Sequence, residues 1–298
     1  MKTAVIGAQG QLGSDLCARL AGDVIGLDLP EFDVQQPDRV QAVLGEVLPD
    51  VVINCAALTN VDACEDHIDE ALAVNALGAA HVAQAAEQIG AAILYISTDY
   101  VFGQDTCRRQ PYTEDDAPGP VNVYGASKLA GEHLTAVAST RWTIVRTCGL
   151  YGLAGAAGKG GNFVETMLRL AGEGKPLRVV SDQRVSPTST WELAGKIAEL
   201  IQVGPCGLLH VAAPDNCSWH EFAQAILDRE RPGVSVEAVR SDQYKTRAKR
   251  PAQSALAGSR LAEVGIEPCR PWSDMLHEYL DARRRRVTSQ STEVRQAR

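Results

Sequence analysis

Tyr124 and Lys128 stand four positions apart in Val123-Tyr124-Gly125-Ala126-Ser127-Lys128, the spacing that puts two side chains on one face of a helix. A free tyrosine ionises near pH ~10 and exchanges its proton poorly at neutrality. A cation beside it favours the phenolate and lowers that barrier. The pair therefore reads as an acid/base unit, a phenol that moves a proton and a lysine that tunes it. Upstream, Ile96-Ser97-Thr98-Asp99-Tyr100-Val101-Phe102 ends an apolar run, where the Thr98 hydroxyl could hydrogen-bond the same substrate oxygen. An ordinary surface Tyr and Lys pair remains the alternative on these residues alone.

A second constellation opens the chain. Gly7-Ala8-Gln9-Gly10-Gln11-Leu12-Gly13 follows a strand-like run, Lys2 to Ile6, and leads into a helical pattern. In that context glycines allow a tight turn and close backbone approach to a pyrophosphate, while the helix start offers free N–H groups and a positive dipole end. The spacing is G-x-x-G-x-x-G rather than the commoner G-x-G-x-x-G. Asp28 ends the next strand and is placed to accept from an adenosine ribose and to repel a 2′-phosphate. No lysine or arginine lies between Gly22 and Gln36, where Asp23, Asp28, Glu31 and Asp33 are the only charges. A dinucleotide is expected, NADH or NADPH, with the balance toward NADH and with Asp28 and Asp33 among its contacts. A plain strand-end cap is the other reading of Asp28.

These groups need a frame that brings distant segments to one edge. Lys2 to Ile6, Val24 to Leu27, Val51 to Asn54, Ala92 to Ser97 and Trp142 to Arg146 read as strands, mostly apolar on both faces, as a buried parallel sheet requires. Helical periods fall between them at Gln11 to Leu20, Asp38 to Leu48, Asp69 to Ile89 and Tyr124 to Val137. The alternation predicts a Rossmann-type doubly wound α/β sheet with helices on both faces, whose ligand lies beyond the carboxyl ends of the strands. The expected organisation is a dinucleotide-binding domain over 1–150, to which 188–213 returns, and a smaller discontinuous C-terminal substrate lobe over 151–187 and 214–282. The basic stretch 283–298 is expected to be an irregular solvated tail.

Composition narrows the classes. The 298 residues are 45% hydrophobic and 22% charged, with net charge −8, which is ordinary for a globular chain and excludes general disorder. The last sixteen residues hold six arginines and one acid, so the remainder is more acidic still and unsuited to nonspecific nucleic-acid binding. No leader-like segment or membrane-length apolar run is visible, and no nucleic-acid or membrane partner is expected. The eight cysteines are scattered, without C-x-x-C pairs, and read as reduced thiols of a cytoplasmic protein. The six histidines form no metal-ligand pattern.

The chain resembles the extended short-chain dehydrogenase/reductases, and within them the dTDP-4-dehydrorhamnose reductases. The resemblance is carried by Gly10-Gln11-Leu12-Gly13, by Asn54-Cys55-Ala56-Ala57 with Thr59, by Ser97 to Phe102, by Pro120 to Glu132, by Asn162-Phe163-Val164 and by Ala248-Lys249-Arg250-Pro251. It covers residues 1 to 282. It implies hydride transfer to the C4 carbonyl of a dTDP-linked 4-keto-6-deoxysugar, with Tyr124 as general acid, Lys128 holding the nicotinamide ribose and Thr98 orienting the carbonyl oxygen. It also implies cofactor contacts at Ala56, Ala57 and Thr59, a sugar contact at Tyr100, and diphosphate contacts at Asn162, Lys249 and Arg250. Lys245, Arg247, Lys249 and Arg250 concentrate cations in an acidic body, which independently suits a diphosphate. A solvated basic loop is the plainer reading of the same residues.

Two places depart from the pattern. Cys148-Gly149-Leu150-Tyr151-Gly152 stands where the family commonly reads Ser-Trp-Val-Tyr-Gly, and Val185 stands where glycine is frequent. Loss of the tryptophan leaves the sugar open, so that reduction or epimerisation of a different nucleotide-linked 4-keto sugar competes with the rhamnose reading. A non-catalytic regulator like the methionine adenosyltransferase beta subunit is a third reading. Some members dimerise through Mg²⁺, and Asp15 and Glu192 stand at two of the implied places; no metal site is predicted, and monomer and homodimer both remain open.

Overall fold

The computed structural model describes residues 1–154 and 161–296, with side chains of the last helix described to residue 288. Residues 155–160 of the glycine-rich stretch therefore lie outside the described residues. The strands, in chain order, are β1 (Lys2–Ile6), β2 (Asp23–Leu27), β3 (Val51–Asn54), β4 (Ala92–Thr98), β5 (Trp142–Thr147), β6 (Arg178–Val180), β7 (Arg184–Val185), β8 (Gly207–His210), β9 (Cys217–Ser218) and β10 (Glu237–Val239). The helices are α1 (Gln11–Arg19), α2 (Pro37–Val47), α3 (Val61–Asp66), α4 (Ile68–Leu72), α5 (Gly78–Gln88), α6 (Val123–Ala138), α7 (Phe163–Gly172), α8 (Thr190–Val203), α9 (Trp219–Glu230) and α10 (Trp272–Gln296).

Six strands form one parallel sheet in the order β2-β1-β3-β4-β5-β8. Side chains alternate across it. Val5 faces Leu12 and Leu16 of α1 and Leu193 and Ile197 of α8. Ala4 and Ile6 face Val40 and Leu44 of α2 and Val82 and Ala86 of α5. Both faces are thus covered, and each fully buried Leu, Ile or Val contributes about 1.5–3 kcal/mol. A separate apolar cluster joins Met167 and Leu168 of α7, Phe222 and Ile226 of α9, and Met275, Leu276 and Leu280 of α10.

The sheet's connectivity decides where ligands can sit. β1 pairs with β2 on one side and β3 on the other, and Ile6 is in register with both Leu27 and Asn54. The three strands therefore release Gly7, Asp28 and Cys55 side by side at a switch in strand order, the crevice favoured for ligands in such sheets. One edge further on, Thr98 is in register with Thr147.

Two segments differ from expectation. The helix expected from Asp69 to Ile89 is interrupted by a wider π turn at Ala73–Leu77, where the Asn75 side chain turns inward to bonds described below. The basic stretch is not an irregular tail, because α10 carries it as helix to Gln296. Two of its arginines have acids on neighbouring elements: Arg283 pairs with Glu165 of α7 at 2.6 Å, and Arg284 with Glu230 at the end of α9 at 2.8 Å. Those pairs relieve the repulsion within the run, while Met275, Leu276, Tyr279 and Leu280 anchor the helix below it.

Candidate active site

The first turn is shaped for a phosphate. Gly7 has φ +77°, its N–H donates to Leu27 O at 2.9 Å, and a Cβ on it would lie 3.1 Å from Ala56 N. A Cβ on Gly13 would lie 2.0 Å from Gly7 O, so the turn and the helix start close on one another only with glycine there. Gly10 caps α1 without any side-chain hydrogen bond. Among the described residues no side chain accepts from the N–H groups of Gln11, Leu12 and Gly13 at the start of α1, which is the arrangement an anion completes.

Asp28 sits beside this turn, accepting from Gln9 N at 2.6 Å and Leu29 N at 2.8 Å. It borders a cavity of about 280 Å³ lined also by Ala8, Gly26, Phe32, Arg39 and Val43. The expected absence of cations near Asp28 holds along the chain but not in space, because the first turn of α2 starts at the same sheet edge and delivers Arg39. Asp33, expected on this side, is not among the lining residues; its carboxylate accepts from Gln35 N at 2.9 Å.

The proton-handling groups are brought together as expected. Thr98 ends β4, and its hydroxyl accepts from Tyr100 N at 3.2 Å and donates to Asp99 Oδ1 at 3.0 Å. Asn122 caps α6 by accepting from Gly125 N at 2.8 Å, so Tyr124 lies in the first helical turn. A Cβ on Gly125 would sit 2.0 Å from Tyr100 O. Glycine lets α6 press onto the turn after β4, which sets Tyr124 at the end of β4, where Thr98 acts on its hydroxyl. The Tyr124 and Tyr100 rings meet edge to face, 5.9 Å between centroids.

The electrostatics differ from the simple pair. Burial pushes Tyr124 above its ordinary range, and Lys128 does not offset it. Lys128 is itself 2% exposed, with Nζ 3.9 Å from the Tyr95 ring centroid. Burial pulls Lys128 down to about 7, with Glu132 acting in the opposite direction. Glu132 is held by Arg146 at 2.7 Å and by the Ser97 hydroxyl at 2.5 Å, all of them buried. Tyr124 is therefore a protonated donor at neutrality, suited to giving a proton.

Asn75 was not visible as a site residue. From the π turn its amide donates to Leu58 O at 3.1 Å and to Ser127 Oγ at 3.0 Å, while its oxygen accepts from Leu58 N at 2.8 Å. It ties the loop carrying Ala56, Ala57 and Thr59 to α6. The available signal was an asparagine inside a helical pattern, a position it disfavours.

The candidate substrate residues divide. Tyr100 lies beside Arg250, which pairs with Asp62 at 2.8 Å. Arg247 pairs with Asp66 at 2.6 Å. Lys249 is exposed, and its backbone carbonyl accepts from the Asn122 amide at 2.9 Å. Asn162 is held by bonds within the chain. It caps α7 by accepting from Glu165 N, and its amide donates to Gly152 O at 2.9 Å and Gln11 Oε1 at 3.2 Å. Its side chain is committed to joining α7 to the glycine turn. Asp15 accepts from the Thr190 hydroxyl and Glu192 pairs with Arg270. Among the described residues no group of three or more His, Cys, Asp or Glu gathers as metal ligands.

The family model described as the RmlD substrate binding domain matches residues 1–285. The chain belongs to the RmlD family. Within reach of that family it is 42% identical over 286 residues to the spore coat polysaccharide biosynthesis protein SpsK of Bacillus subtilis, covering 95% of this chain and 98% of that one. It is 38% identical over 285 residues to a dTDP-4-dehydrorhamnose reductase of Mycolicibacterium smegmatis, covering 93% and 84%. A dTDP-4-dehydrorhamnose reductase from Bacillus anthracis, solved in complex with NADP, superposes with TM-score 0.89 at 38% identity, covering 95% of this chain and all of that one. Membership of the RmlD family accords with the parallel sheet and the covered faces described above. Among the described residues no helix is long and apolar enough to cross a membrane.

Proposed function

We propose that this chain is a dTDP-4-dehydrorhamnose reductase, taking the C4 carbonyl of dTDP-4-dehydro-L-rhamnose to the alcohol with a nicotinamide dinucleotide. The observation that carries the reading is Tyr124, at the start of α6, pressed onto the turn that follows Thr98, on the sheet edge that also holds the glycine-capped start of α1. The like-named relatives support the substrate.

Gly7, Gly10 and the first N–H groups of α1 would hold the pyrophosphate, Asp28 and Arg39 the adenosine end, and Lys128 the nicotinamide ribose. The glycine cradle fits such a group, since any Cβ at Gly13 would close it. When bound, the reduced nicotinamide supplies a hydride. Tyr124 donates its proton to the oxygen on which negative charge develops, help worth about 10²–10⁴ in rate. Thr98 stands beside the same oxygen, to which its hydroxyl donates when its proton is not held by Asp99. Tyr100 and Arg250 flank the sugar side, with Lys249 beyond them toward the diphosphate. Asp28 favours NADH and Arg39 adds a cation for a 2′-phosphate, so both cofactor forms are accepted.

A different nucleotide-linked 4-keto sugar is favoured by one observation, Gly149 at the place of the family's tryptophan. Incubating purified protein with dTDP-4-dehydro-L-rhamnose and NADH or NADPH, with product identified by NMR, tests the choice. Formation of dTDP-L-rhamnose, abolished in Tyr124→Phe, supports the first reading. Cofactor binding without turnover of this sugar rejects it.

A further inference from the structure

Behind the Thr98 hydroxyl lies a carboxylate that the reduction as described does not use. Because Thr98 and Thr147 are in register, Asp99 and Cys148 are the next residues released from adjacent strands. Cys148 Sγ donates to Asp99 Oδ2 at 3.1 Å and Thr98 Oγ1 donates to Oδ1 at 3.0 Å. Ser254 and the Asp99 backbone N–H, both uncharged, also favour the carboxylate. All of these donors are neutral, and Asp99 is 3% exposed. Burial pushes Asp99 up to about 6 despite those hydrogen bonds.

The titratable groups around it hold their protons through neutrality. Tyr124 from α6 and Tyr100 from the same turn are both raised by burial and by Asp99, and Cys148 is raised in the same way. Arg250 acts on the Tyr100 side. Asp99 is the member of this set that changes charge near neutral pH.

Thr98 has a single hydroxyl proton. With Asp99 ionised, that proton is held on Oδ1, and the Thr98 oxygen accepts from Tyr100 N. Every proton in this chain then points inward. With Asp99 protonated, its own O–H can donate to Thr98 Oγ1, which releases the Thr98 proton toward a carbonyl oxygen held beside Tyr124.

We propose that Asp99 is a positioning residue for the reduction, its protonation state setting whether the one Thr98 hydroxyl proton points toward the substrate carbonyl or away from it. The inference rests on the reductase reading. Cys148 tunes the setting, since a thiol is a weaker donor than a hydroxyl and stabilises the Asp99 anion less than serine would.

Asp99→Asn tests it, because the asparagine amide can donate to Thr98 as the protonated acid does and carries no charge at any pH. The ratio of variant to wild-type kcat is expected near one at about pH 5.5 and at least about fivefold higher at about pH 8, since the wild-type carboxyl is by then almost wholly ionised. Lys128 affects both proteins equally and cancels. A ratio below one and flat with pH, as a merely structural residue gives, overturns the proposal. In Cys148→Ser the midpoint of the wild-type decline is expected to move to lower pH, and an unchanged or raised midpoint counts against it. A measurement without turnover completes the set: the infrared band of a protonated buried carboxyl in cofactor-free protein is expected in acid, lost on raising the pH through neutrality, and absent from Asp99→Asn. A wild-type protein lacking that band overturns the proposal. Failure of wild type to reduce the keto sugar while the band titrates normally rejects the reductase reading and the role built on it, whereas turnover with a flat ratio rejects the Asp99 role alone.

Discussion

A Cβ placed on Gly149 would lie 3.0 Å from Val185 Cγ2 and 3.2 Å from Pro187 Cα. The two departures from the family pattern, glycine for tryptophan at 149 and valine for glycine at 185, are therefore one change in space. Gly149 also has φ +54°, a backbone state that bulky residues resist. Restoring the aromatic by Gly149→Trp alone is expected to cost about 2–4 kcal/mol through overpacking and backbone strain. Adding Val185→Gly is expected to recover at least about 1 kcal/mol as a coupling between neighbours. Thermal unfolding of the two singles and the double measures this, and strict additivity would deny the coupling.

Gly125→Ala offers a test in which propensity and packing have opposite signs. Alanine normally stabilises a helix position by about 1 kcal/mol over glycine. Here its methyl would meet Tyr100 O at 2.0 Å, so the start of α6 must shift and carry Tyr124 with it. Lower stability and a fall in kcat of about 10²-fold are expected, with dinucleotide affinity nearly unchanged. A variant more stable than wild type with full activity would contradict this placement.

Lys128 makes a pH prediction with a definite sign. It is pulled down to about 7 in the folded protein, whereas in the unfolded chain it keeps its proton to about 10.4. Between these values the unfolded state binds more protons, so this group makes stability rise with pH from about 7 upward. Lys128→Met lacks that rise. The stability advantage of the variant over wild type is expected to shrink by about 1–3 kcal/mol between about pH 7 and pH 9. Denaturant unfolding at the two pH values decides it, and a constant difference would mean that the lysine stays charged.

Arg39 and Asp28 border one cavity and carry opposite preferences for the adenosine ribose. Arg39→Ala is expected to raise the KM for NADPH about tenfold and to leave that for NADH within about twofold, the loss of one charge-assisted phosphate contact. Equal effects on both cofactors would place Arg39 outside the 2′-phosphate position.

The sheet was readable because its strands are apolar on both faces and separated by helical periods, and Thr98, Tyr124 and Lys128 because each lies at a strand end or helix start. What escaped depended on register and on contacts across space. Arg39 is eleven residues beyond Asp28 and joins it only because α2 starts at the strand's carboxyl edge. The Asp99 and Cys148 contact follows from a strand register that no local pattern encodes. The bonds of Asn162 to Gly152 and Gln11 likewise join segments far apart in sequence. The arginines after Asp281 looked like a solvated run because their partners, Glu165 and Glu230, lie far away in sequence.

The central claim is hydride delivery to a sugar carbonyl with Tyr124 supplying the proton. Its most direct test is a reaction of dTDP-4-dehydro-L-rhamnose with nicotinamide dinucleotide deuterated at the transferable position, read by NMR. Deuterium is expected at C4 of the sugar in one-to-one ratio with cofactor oxidised, at a rate about 10²–10⁴-fold lower in Tyr124→Phe. Cofactor bound but unoxidised, or a product without deuterium at C4, would contradict it.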